Sequence, residues 1–162
     1  MKSRLIAPLA PRFVAAIALG AAIALGATGC AFLTPVSTTV PYSPSDGMNV
    51  PAESGPLQVR NALVVGNEDG TKGNFVAAII NDTDTAQTLN LDINNNGSRR
   101  VRVPAHSTVS LGAQGTDPLP IQNLGTLPGQ TIPITFQSGN ATGVTVLVPV
   151  LSAVGDYRLL NP

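Results

Sequence analysis

Cysteine is almost missing from this chain: Cys30 is the only one in 162 residues. No intramolecular disulfide and no multi-thiolate metal site can form, so any folded domain stands on its packing. Histidine is equally scarce, and chemistry that needs an imidazole rests on His106 alone. There is no Trp, and only 11% of residues are charged. Beyond residue 29 six basic residues remain against nine acidic ones. That balance argues against nucleic-acid binding and against electrostatic docking on anionic lipid. No Gly-x-Ser-x-Gly elbow occurs, and no phosphate-binding glycine loop precedes a helical pattern. Helical periodicity is absent after Cys30, which leaves no room for an α/β cofactor domain.

What the chain does have begins at its N-terminus. Lys2, Arg4 and Arg12 precede an apolar run, Phe13 to Gly26, followed by Ala27-Thr28-Gly29-Cys30. Basic, apolar, small and cysteine is the order of a bacterial lipoprotein signal. The run is short for a permanent span, which needs roughly 20 apolar residues. Ala27 stands where the lipobox most often has Leu. An ordinary secretory signal with an incidental cysteine, or an uncleaved anchor helix, are the competing readings. The lipobox reading predicts cleavage between Gly29 and Cys30 and a diacylglyceryl thioether on Cys30. Each buried methylene contributes ~0.8 kcal/mol, and two chains hold where one is marginal. The partner so implied is the membrane itself, and the location is its extracytoplasmic face.

Residues 30–56 form the expected tether. Five prolines (Pro35, Pro41, Pro44, Pro51 and Pro56) interrupt Ser and Thr without periodicity. Residues 31–56 extend to at most about 85 Å. Met48 to Val50 is the one piece that could pack along the domain as an extra edge strand.

Residues 57–162 read as a β-domain. The period is two in Leu57, Val59, Leu63 and Val65, and again in Leu89, Leu91 and Ile93. Asn74 to Ile80 is nearly all apolar and predicts a central strand. Asn95-Asn96-Gly97 predicts a hairpin, because Asn and Gly tolerate positive φ. Val101 and Val103 then point inward, with Arg100 and Arg102 outward. Val109 and Leu111 make a short strand, and residues 112–129, rich in Gly and Pro, wrap an edge. Ile132, Ile134 and Phe136, then Val144, Val146, Val148 and Val150, close the domain. Pro133 and Pro149 lack amide donors and belong at strand ends or on an open edge. Tyr157 to Leu160 adds a final short piece. Some seven short strands predict an all-β, immunoglobulin-like antiparallel sandwich, with a closed barrel as the alternative.

Candidate chemistry is thin. Asp92 to Gly97 matches the first half of a calcium loop, but the twelfth position is Val103, and Arg99 and Arg100 repel a dication. Glu68 with Asp69, and Asp82 with Asp84, read as solvated turns. Ser107, Ser110 and Ser152 are the serines a His106 triad would draw on. Gln87, Thr88 and Thr131 offer polar strand faces, and Arg99, Arg100 and Arg102 an anion-pairing strand. No catalytic residue, no metal ligand and no cofactor is assigned. The partner beyond the membrane, an envelope protein or a small ligand, is not identified by any motif.

The order Leu57-Gln58-Val59-Arg60-Asn61-Ala62, then Phe75 to Asn81, then Ile134-Thr135-Phe136 and Val144 to Val150, resembles small actinobacterial lipoproteins of the LpqE type. The closing pair also resembles the periplasmic copper chaperones of the PCuAC group, which implies a cupredoxin-like sandwich. In that group two His and two Met hold Cu(I), since soft thioethers suit it. Here His106 and Met48 are the only such residues beyond the signal, so the resemblance implies fold and envelope location but not the metal. The expectation is a membrane-anchored, non-catalytic binding or scaffolding sandwich. A degenerate copper-handling protein is the alternative, and an envelope enzyme the lesser one.

Overall fold

A computed structural model describes residues 45–162, apart from 95, 96 and 114. The signal peptide, the Gly29–Cys30 cleavage site and the tether as far as residue 44 lie outside the described residues.

Among the described residues eight strands follow one another: β1 (Gln58–Gly66), β2 (Lys72–Asn81), β3 (Gln87–Ile93), β4 (Ser98–Val103), β5 (Ser107–Leu111), β6 (Leu119–Gln122), β7 (Thr131–Ser138) and β8 (Val144–Ser152). They hydrogen-bond in the order β4-β3-β7-β8-β1-β2-β5, with β6 also on β2. β5 takes the Ala77–Asn81 end of β2 and β6 the Lys72–Phe75 end, so two short strands share one edge. One sheet of the sandwich is β4-β3-β7-β8 and the other is built around β1 and β2. β8 joins them: its first part pairs with β7, and Val150 to Ser152 run parallel to Val64 to Gly66 of β1. Among the described residues that parallel pair is the one departure from an antiparallel sandwich. Pro149 sits where β8 changes partner, a place that needs no amide donor from it.

Period two carries through most of the domain. Leu89, Leu91 and Ile93 of β3, and Ile132, Ile134 and Phe136 of β7, are all buried. Phe75 of β2 and Phe136 of β7 meet between the sheets, with ring centroids 6.0 Å apart and planes tilted 46°. On β1 the period breaks. Arg60 pairs with Ala78 and Leu63 with Val76, which leaves an extra residue on β1, and Asn61 takes φ 51°. This bulge moves the core positions from Leu57 and Val59 to Ala62 and Val64. Leu63 and Val65, expected to continue the core face, turn to the opposite side.

They are nevertheless fully buried. A 3-10 helix, Gly155–Leu160, lies over that side. The Asn74 side chain, opposite Val65, donates to the Leu160 carbonyl at 3.0 Å. The final piece expected at Tyr157 to Leu160 is therefore a cover over the outside of the β1–β2 sheet.

The segment expected as tether up to Pro56 joins the domain well before that residue. The Met48 and Ala62 amides each donate to the other's carbonyl, at 2.9 and 2.8 Å, and Val50 N–H donates to Val59. Val50 is buried. The reason is a vacancy in the ladder: β8 reaches β1 only from Val64 onward, and the leading segment satisfies the amides before it. The stretch after Gly112 contributes β6, with Ile121 and Leu124 buried, where only an edge-wrapping loop was expected.

Candidate functional site

The β4-β3-β7-β8 sheet presents an outward face of side chains in cross-strand rows. Arg100 of β4 lies opposite Asn90 of β3, which lies opposite Gln137 of β7. The next row is Ser98, Asp92, Thr135 and Thr145. Arg102 and Thr88 continue it on one side, and Pro133 and Leu147 on the other. Alternation puts them there: their neighbours Leu89, Leu91, Ile134 and Phe136 are core residues. Polar groups on this face bond to one another. The Asn90 amide donates to Gln137 Oε1, and the Thr135 and Thr145 hydroxyls share a 2.8 Å hydrogen bond. Leu147, 61% exposed, is the apolar member. Asp92, Asn94, Pro133, Thr135 and Thr145 outline a shallow depression of about 200 Å³. Thr131 and Thr88, picked out in the sequence as possible surface, belong to this face.

Two further grooves flank the β1–β2 turn and meet at Asp69. One, about 440 Å³, runs between Asn67, Glu68 and the end of β8 at Ser152 and Val154. The other, about 500 Å³, separates Gly70 and Thr71 from Asn123, Thr126 and Leu127. Asp69 is committed to the turn itself: its carboxylate accepts from the Thr71 hydroxyl at 2.6 Å and the Thr71 amide at 3.0 Å. Those donors hold the carboxyl below its usual range. Neither groove was legible in the sequence, because each forms between segments more than 50 residues apart.

The sequence candidates for chemistry are dispersed. His106, at φ 49°, has its Nε2 2.9 Å from Asp84 Oδ1, and both side chains are exposed. Ser107 Oγ donates instead to the Pro104 carbonyl at 2.8 Å. Ser110 sits opposite Ala78 on β5, and Ser152 opposite Gly66 at the end of β8. None of the three serines is hydrogen-bonded to His106 among the described residues. Met48 is half-exposed against Ala62 on β1. No group of three or more His, Cys, Asp or Glu side chains gathers as a metal site among the described residues. Asp92 and Asn94 of the half calcium loop face the β7–β8 depression, and Gly97 takes the positive φ of 85° expected of the hairpin.

One polar residue matters more than the sequence suggested. Asn81, expected as the first residue of a turn, is fully buried. Its Nδ2 donates to the carbonyls of Thr85, Val103 and Pro104 at 2.8, 3.1 and 2.9 Å. Its Oδ1 accepts from the Thr83 amide and hydroxyl. The Asn-x-Thr spacing that permits this side-chain turn was the available signal. Asn81 fixes the loop that places Asp84 beside His106.

No family model and no curated protein matches this sequence. Solved structures do. The apo PCuAC domain from PmoF1 superimposes with a TM-score of 0.52 at 19% identity, over 65% of this chain and 99% of that domain. The copper-bound PCuAC domain from PmoF2 gives 0.49 at 14% identity, over 65% and 98%. At these identities the likeness is one of fold: the domain has the cupredoxin-like β-sandwich architecture of PCuAC domains. For Cu(I) the donors present do not fit, since the single imidazole bonds a carboxylate and the single thioether among the described residues belongs to Met48, half-exposed where its backbone bridges to Ala62 of β1.

Proposed function

We propose that the protein is a lipid-anchored binding or scaffolding module on the extracytoplasmic face of the membrane, acting without covalent catalysis. Cys30 carries the lipid, and the domain presents the row-patterned face of β3, β4, β7 and β8 to an envelope partner. The observation that carries the reading is the pairing of Met48 with Ala62. It holds the chain on β1 by residue 48, 18 residues after Cys30, and so supports a sandwich that works near the bilayer. Residues 31–44 would span at most about 46 Å when fully extended. The LpqE-type likeness of the β1, β2 and β7–β8 stretches supports the same location. Crosslinking in the native envelope followed by recovery of adducts tests it. Specific adducts on the β3–β4–β7 face, lost with Cys30→Ala, are expected; a substrate turned over by the isolated protein would contradict it.

The second reading is a copper-handling relative that uses a degenerate site of its own or completes its donor set from another molecule, favoured by the fold likeness to the PmoF1 domain. A Cu(I) titration decides between the two. A sub-micromolar site on the monomer, lost in His106→Ala, would move this reading to first place.

A further inference from the structure

The strand β4 ends its sheet. Only β3 pairs with it as a strand among the described residues, and the Asn81 side chain takes the Val103 carbonyl at its last residue. In an antiparallel pair alternate residues bond to the partner and the others aim their N–H and C=O away, so β4 carries an open row of backbone donors and acceptors. The same six residues hold Arg99, Arg100 and Arg102, half of the six cations beyond residue 29. Their cross-strand neighbours are Leu91, Asn90 and Thr88, none of them a carboxylate. Arg100 and Arg102 are exposed, and no ion pair to any of the three exists among the described residues.

From this juxtaposition we infer that β4 docks an extended acidic peptide segment of a partner protein, which pairs with the edge as an added strand and sets carboxylates against the arginines. Strand addition supplies affinity through main-chain hydrogen bonds, and side-chain chemistry selects the partner. A second copy of this chain is a poor occupant, because β4 against β4 would oppose arginine with arginine. The charge that deters self-pairing is what an acidic strand satisfies. β4 offers six residues, about 20 Å of ladder. The inference rests on the binding-module reading and specifies one surface and one partner chemistry for it.

The test uses the full chain in detergent and a fluorescent eight-residue peptide alternating Val and Glu. Saturable binding is expected, weakened at least tenfold in R100E/R102E and by raised salt. Hydrogen exchange should slow at Arg99 to Arg102 when the peptide is bound. A Val-Lys peptide should bind the charge-reversed variant and not the natural chain, which separates lost recognition from lost folding. Absence of saturable binding, equal binding to R100E/R102E, or equal binding by a peptide N-methylated at alternate residues would each overturn it. So would arginine-dependent binding to phosphatidylglycerol vesicles without peptide binding. These failures leave the anchored-module reading standing if envelope adducts form elsewhere on the domain; if adducts are absent as well, that reading fails too.

Discussion

The Tyr157 hydroxyl donates to the Asp46 carboxylate at 2.6 Å across 111 residues of chain. The bond joins the segment that leads into the domain to the 3-10 helix that covers its outer sheet. The leading segment thus has two holds: its backbone on β1 and this carboxylate on the final helix.

Tyr157→Phe should destabilise the domain by no more than about 1 kcal/mol, because the bond is solvent-screened. The bond to Asp46, helped by burial and the nearby Asp46 and Asp156 charges, pushes the Tyr157 phenol up to about 12 from 10. The folded value lies above the unfolded one, so the contribution is complete below pH 10 and fades as pH rises from there toward 12. The difference in absorbance titration at 295 nm between wild type and Tyr157→Phe should show a late-ionising phenol. A midpoint at the ordinary tyrosine value would remove the clasp.

Asn81→Ala should cost about 3 kcal/mol, since it strands buried carbonyls and a turn amide. Urea unfolding measures it. Asn81→Asp should fare no better, as it sets a carboxylate against the Thr85, Val103 and Pro104 carbonyls. A loss under about 0.5 kcal/mol in both variants would mean the loop holds without its amide.

Gly55→Ala should be poorly tolerated. Gly55 has φ 123°, and a Cβ there would fall on the Ser138 carbonyl oxygen, which is backbone and cannot yield. Gly129 also has positive φ, 88°, but open space around the added methyl. Gly129→Ala should cost about 1 kcal/mol and Gly55→Ala clearly more. Equal thermal shifts would show that the approach of residue 55 to β7 is slack.

The strands at Leu89 to Ile93, Ile132 to Phe136 and Val144 to Val150 were legible because each has one dry face and one wet face. Asn-Gly marked the β3–β4 hairpin for a local reason, positive φ. What escaped depends on partners distant in sequence. The Asn61 bulge is invisible to a period-two count, so Leu63 and Val65 were put on the wrong face. The packing of Met48 to Val50 along β1 was open in the sequence as an extra edge strand, but it depends on where β8 joins β1, which no local pattern encodes. β6 hides among Gly and Pro because four residues are too few to show alternation. The edge position of β4, which makes its arginines interesting, follows only from the strand order.

The most direct measurement is the intact mass of the protein extracted from membranes. The account predicts a polypeptide that starts at residue 30 with two acyl chains carried on a glyceryl thioether, and a Cys30→Ala form that no longer partitions into detergent. Recovery of the whole polypeptide in the soluble cell fraction, residues 1–29 still attached and sulfur unmodified, would contradict it.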